Sequence, residues 1–278
     1  MSEEEFYKPL VANGPRRKVA ETESEYKTIW IEHASDIDDL LSLAVTGGLI
    51  ADRLSWVFVA GYQAACRHAF ANCSFEGWVA YAATEDRKGN PPLPAVSWDQ
   101  KSDTVSGVKT WIAAAQTVDQ LIIKIGTGTD ACYGLVHRNA ENLTIETGRT
   151  ARFLSDLTQG LAHFDRVQGS DVEILTGDRI RLFGLLEPLY IYAAFCGFVM
   201  GSTTEHDLVT CSRDCLDGVE PALRSVGSDN LDRDNLQKAD ARAQDLLVRL
   251  SGNRIKASGN WEVDQRLIAM YSKSIRRQ

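Results

Sequence analysis

The stretch Leu182-Phe-Gly-Leu-Leu-Glu187-Pro188-Leu-Tyr-Ile-Tyr-Ala-Ala-Phe-Cys196-Gly-Phe-Val-Met200 runs for 19 residues with a single charged side chain. It is long enough to raise the question of a membrane span. Glu187 and Pro188 stand together near its start, Gly184 comes just before them, and the flanks carry no strong basic bias or stop-transfer pattern. A central helix covered on all sides by protein explains the same composition. We read the run as that helix, with no membrane partner. Glu187 then has two readings. It either reaches the surface on one face, or it is held away from water, where lost solvation raises its pKa and makes it a stronger base.

Downstream the pattern stays helical, over roughly His206–Val226, Asp232–Leu250 and Trp261–Arg276. In the last of these Trp261, Leu267, Ile268, Tyr271 and Ile275 share one face. Thr176 or Asp178 is suited to cap the long apolar helix. Upstream, helical periodicity begins near Ile37 and runs through Leu40, Leu41, Val45, Leu49, Ile50, Leu54, Val57, Phe58 and Tyr62. Gly47–Gly48 separates or kinks two helices there. Between the helical regions, Val, Ile, Thr and Trp are frequent and Gly, Asn and Asp punctuate the runs. This predicts strands at Ala95–Trp98, Thr104–Ser106, Thr110–Ala114, Gln120–Ile125, Ala131–Val136 and Leu143–Glu146. The expected organisation is a loose lead-in over 1–25, a short helical domain over 26–75, an antiparallel β domain over 76–175 and a helical domain over 176–278.

Composition sets outer bounds. The 278 residues are 44% hydrophobic and 24% charged, ordinary for a soluble globular protein. A net charge of −8 with no basic stripe argues against nucleic acid as a partner. Six cysteines form no C-x-x-C pair and five histidines are scattered, so metal-ligand spacing is absent. Cys66 and Cys196 fall in apolar helical patterns, as reduced core thiols of a cytoplasmic protein do. The acidic N-terminus does not read as a signal peptide.

Two short motifs have simpler accounts than the sites they resemble. Gly126-Thr-Gly128-Thr-Asp-Ala131 matches G-x-G-x-x-A, yet a second strand pattern follows it where a dinucleotide site needs a helix; a hairpin loop is the better account. Asp36, Asp38 and Asp39 faintly resemble the calcium-binding aspartate cluster of nucleoside hydrolases. An acidic helix start explains them more simply, because negative charge favours the first turn.

The middle of the chain carries a more specific pattern. Tyr81-Ala-Ala83-Thr84-Glu85-Asp-Arg-Lys-Gly89-Asn90 resembles the aromatic-x-x-T-E-P-x-x-G-S signature of acyl-CoA dehydrogenases. Gly107-Val-Lys109-Thr-Trp111-Ile112-Ala113 resembles that family's N-G-x-K-x-W-I-T, at a similar interval. From Glu187 the chain also fits the E-R-L-x-L-A-x-x-x-x-G pattern of the branch that includes isovaleryl-CoA enzymes.

The resemblance implies an α+β fold: shortened N-terminal helices, an antiparallel β middle domain and a C-terminal helical bundle. It implies FAD as cofactor, with Tyr81, Ala83, Thr84, Trp111, Ile112 and Ala113 placed to hold it and Asn90 on the substrate side. Glu187 would remove the α-proton of an acyl-CoA-type thioester while a β-hydride passes to flavin. Several family positions differ here. Asn90 replaces a serine, Ala113 a threonine, Pro188 an arginine and Leu185 an aspartate, and the R-x-x-F-G segment that helps a neighbouring subunit hold FAD is missing. A second reading therefore stands beside the first: a non-catalytic or half-site subunit that binds no flavin alone. Either reading makes a homo-oligomer, or a heteromer with a related subunit, the expected assembly.

Overall fold

The computed structural model describes residues 17–275, except 87–88, 129–130, 150–151, 176–178, 228–230 and 253–257. The candidate caps Thr176 and Asp178 lie outside the described residues. The chain forms two compact units, one helical and one β.

The helical unit gathers the N-terminal helices, a short stretch over 152–156 and everything from Arg179 onward. Its helices are α1 (Glu23–Ala34), α2 (Leu40–Ile50), α3 (Leu54–Ala69), α4 (Phe183–Ser202), α5 (His206–Ser225), α6 (Arg233–Gly252), α7 (Trp261–Asp264) and α8 (Arg266–Ile275). The two helical regions expected as separate domains thus share one core, because α4 packs against both α2 and α3. Helix α1 begins inside the segment read as lead-in. A capping box starts it: the Thr22 hydroxyl accepts from Glu25 N and the Glu25 carboxylate accepts from Thr22 N. The aspartate cluster proves to be a helix start, with Asp39 Oδ2 accepting from Ser42 N at 2.7 Å.

Helix α4 is the apolar run, and by length and composition it could cross a membrane; most of it is buried within its unit. Its burial depends on very close approach to α2. A Cβ on Gly48 would land on the Ala194 carbonyl, and one on Gly197 would land on the Val45 carbonyl. Neither neighbour can step aside, since both are helix backbone. Gly197→Ala should therefore destabilise the protein by about 1–3 kcal/mol or more through overpacking. Urea unfolding would show it, and an unchanged midpoint would mean that the two helices do not touch there.

The β unit covers 70–151 and 157–178. It holds β1 (Val79–Ala82), β2 (Ser97–Asp99), β3 (Thr104–Ala113), β4 (Gln120–Ile125), β5 (Cys132–His137), β6 (Leu143–Arg149), β7 (Gln159–Gln168) and β8 (Val172–Leu175). Two four-stranded sheets result, in the orders β1-β4-β5-β8 and β2-β3-β7-β6. Val96, Val105, Ile112, Leu121, Ile123, Val136, Ala162 and Phe164 form their shared core.

Three expectations need correction here. The unit is not wholly antiparallel, because β1 runs parallel to β4. Thr104–Ser106 and Thr110–Ala114 are one strand, kept continuous past Gly107 by a bulge. Strand β7 was not foreseen, since Gly160 and the polar pair Asp165–Arg166 interrupt its apolar alternation. Strands β4 and β5, on either side of the Gly126 motif, pair antiparallel, while Thr129 and Asp130 of the motif lie outside the described residues.

Candidate functional site

Two groups of predicted residues have distinctive surroundings, one in each unit. In the β unit, β3 brings the two sequence signatures together. Gly107 lies against Ala95 and Val96 with φ of 132°, a conformation and a proximity that any side chain would spoil. Beyond it the Thr110 amide donates to the Thr84 carbonyl at 2.9 Å, and the Thr110 hydroxyl reaches the same oxygen at 3.3 Å. Lys109 Nζ donates to Glu85 Oε1 at 2.6 Å. The lysine is fully buried, and its loss of hydration pulls its pKa down while Glu85 pulls it up. These contacts latch the segment Thr84–Glu85 onto the strand segment Lys109–Thr110.

The next residue, Trp111, has φ of 65°, in the left-handed region that a bulky side chain rarely adopts. Strand pairing shifts register between Thr110 and Ile112, and the indole emerges 54% exposed. An aromatic ring turned out to solvent on strained backbone is a feature that folding alone does not favour. The Thr84 side chain beside this latch is exposed as well.

The remaining predicted cofactor residues are differently placed. Tyr81 is half-buried, its ring 5.6 Å from Phe70 and 6.1 Å from Tyr133, in a small aromatic cluster. Ala83 is half-buried, Ala113 is buried, and Ile112 is a core side chain of the sandwich. Asn90 is exposed.

In the helical unit, Glu187 occupies the second turn of α4, one residue before Pro188. Part of its surface remains open, yet protein packs densely enough around the carboxyl that lost hydration pushes its pKa up to about 7. The nearby Tyr271 on α8 opposes that rise. Among the described residues no cation neutralises Glu187. That environment gives a carboxylate that exchanges a proton near neutrality, as a general base requires. The sequence singles out Glu187, Thr84 and Trp111; it places Tyr271 only on an apolar helix face and does not pair Lys109 with Glu85. A hydroxyl on an otherwise apolar face was the available signal for Tyr271.

Helices, a β-sandwich and further helices in this order make the acyl-CoA dehydrogenase fold. It is shared with butyryl-CoA dehydrogenase from Megasphaera elsdenii, at a TM-score of 0.59 and 11% identity over 92% of this chain and 85% of that one. A FAD-dependent dehydrogenase matches with a TM-score of 0.52 and 12% identity, over 91% of this chain and 90% of that one. PigA with FAD and proline gives the same score and identity, over 91% of this chain and 83% of that one. No protein-family model matches the sequence, and no curated protein matches it significantly. At such identities the likeness establishes the fold, and function has to be argued from the residues.

Proposed function

We propose that this chain is an FAD-dependent oxidoreductase that dehydrogenates an acyl thioester. The observation that carries the reading is the latch in the β unit. It presents an exposed Trp111 indole on strained backbone next to an exposed Thr84 hydroxyl, an aromatic face and a polar contact of the kind a flavin ring needs. When bound, FAD supplies the acceptor for a hydride from the substrate β-carbon. Trp111 would pack on its ring, Thr84 would hydrogen-bond it, and Tyr81, Ala83, Ile112 and Ala113 would border it. Asn90 would contact the substrate.

Glu187 supplies the base. Its carboxylate takes the α-proton, the electrons of that C–H bond become the new α,β double bond, and the β-hydride leaves with its pair. A pKa near 7 suits this task, because the group is substantially ionised at neutral pH and still basic enough to abstract from carbon. The neighbours support the reading by their names, one a butyryl-CoA dehydrogenase and another an FAD-dependent enzyme.

Free thiols at all six cysteines are in keeping with a cytoplasmic location. Exposed Val248 on α6 and Met270 on α8 offer apolar surface for an oligomer.

One observation favours the half-site reading. Only Thr203, Thr204 and Glu205 separate α4 from α5, so the flavin-holding segment expected after the long helix has no room there. An absorbance spectrum of the purified chain separates the two. Flavin bands in the chain expressed alone support catalysis; a colourless chain that turns yellow only beside a related subunit supports the half-site.

Trp111→Ala tests the cofactor placement. Losing a ring contact worth about 1 kcal/mol should weaken FAD binding roughly five- to tenfold. Folding stability should hardly change, since the indole is half in water. Full retention of FAD in that variant would remove Trp111 from the site.

A further inference from the structure

The β1-β4-β5-β8 sheet gives its two faces different chemistry. Ala80, Ala82, Ile123, Ile125 and Val136 point into the sandwich core, so alternation sends Tyr81, Lys124 and Tyr133 to the outer face. Lys124 and Tyr133 are cross-strand partners, which sets their Cβ atoms about 5 Å apart. The Tyr133 ring lies 6.1 Å from that of Tyr81, and buried Phe70 packs against both. Lys124 is half-buried, and among the described residues it makes no hydrogen bond or ion pair; the Tyr133 hydroxyl has no partner among them either. The Lys124 ammonium is close enough to Lys109 to repel it. Glu85 is already paired with Lys109 at 2.6 Å, so this corner of the sheet keeps one ammonium unmatched, on a chain whose net charge is −8. Glu173 shares the outer face but sits on β8, two strands from Lys124. A half-buried cation with no counter-charge is costly until an anion comes to it.

We propose that this face binds a nucleotide, with its base against the rings of Tyr81 and Tyr133 and its phosphate on Lys124 and the Tyr133 hydroxyl. A nucleotide carries its flat ring and its phosphate one sugar apart, which suits a ring and an ammonium on paired strands. Aromatic faces take a base without reading its sequence. A lysine meets phosphate as a point charge, and a phenol adds one donor. Two sources carry this chemistry, a free adenine nucleotide and the nucleotide end of coenzyme A. Tyr81 links the face to the residues assigned to the flavin, yet the site goes beyond the dehydrogenase reading and does not depend on it.

The test is calorimetric titration of the full chain with ADP. ADP should bind, and Lys124→Gln should weaken it about ten- to a hundredfold, the usual loss when a charged hydrogen-bond partner is removed. Tyr133→Phe keeps the ring and should weaken it about three- to tenfold. Both variants alter half-buried side chains on the outer face and leave the sandwich core intact. Lys101→Gln, at an exposed lysine between β2 and β3, should change nothing. Adenosine, which lacks the phosphate, should bind wild type and Lys124→Gln equally weakly. Coenzyme A that displaces ADP makes the tail of a thioester the occupant, and coenzyme A that leaves ADP in place makes it a free nucleotide; either result supports the site. ADP held as tightly by Lys124→Gln as by wild type, or not bound at millimolar concentration, overturns the proposal. Inorganic phosphate bound as tightly as ADP overturns it too, because the rings would then contribute nothing. The titration needs neither flavin nor turnover, so its failure leaves the dehydrogenase reading standing.

Discussion

Glu187→Gln is expected to lose thioester dehydrogenation by a factor of about 10²–10⁴ while gaining folding stability at alkaline pH. Both effects come from one cause, a carboxylate kept partly from water. The amide cannot take a proton from carbon, but it keeps the size and shape of the carboxylate, so packing and any bound flavin should persist. The stability effect follows from linkage. Burial raises the Glu187 pKa from an ordinary 4.5 to about 7 in the folded protein. Stability contributed by the neutral acid is fully present below pH 4.5 and is lost as pH rises through about 7. Above that range the ionised side chain costs the folded state on the order of 3 kcal/mol, which the glutamine variant avoids. Urea midpoints should then favour Glu187→Gln clearly at pH 8 and progressively less toward pH 5. A constant advantage across that range would show that Glu187 is well hydrated, and unchanged turnover would end its role as base.

The fold was legible in the sequence where local pattern and burial agree. The apolar run stood out because it must be covered on every side, and the structure covers it. Thr84 and Trp111 were paired from two signatures alone, and β3 does bring those segments into hydrogen-bond contact. What escaped was set by contacts distant in sequence. Strand β7 has a polar tail and a glycine that matches the close approach of Glu146 and Ala115, which no local pattern reports. The parallel pairing of β1 with β4 depends on a connection of 37 residues between Ala82 and Gln120 that crosses to the other sheet. Helix α1 is a different case, since the Thr22–Glu25 box was visible but lay in a segment whose polarity suggested a loose end. Within the candidate site, the acid was legible because charge in an apolar run is costly. Tyr271, 84 positions later, comes near it only through tertiary packing.

Lys109→Met should destabilise the β unit by about 3–5 kcal/mol, the usual consequence of stranding one member of a buried ion pair. Lys109 is fully buried and Glu85 keeps only 12% of its side chain exposed, so the glutamate left behind has little water to compensate it. The pair is also the latch that fixes the Thr84 segment to the strand carrying Trp111. Removing both charges tests the cause. Lys109→Met combined with Glu85→Leu should recover most of the lost stability, because an apolar pair of similar volume carries no desolvation cost. FAD affinity should recover less, since the latch geometry would still be missing. Denaturant unfolding of the two single variants and the double variant measures the coupling directly. Additive losses would mean the lysine and glutamate act independently, and the Thr84 segment would then owe its placement to the Thr110–Thr84 bonds.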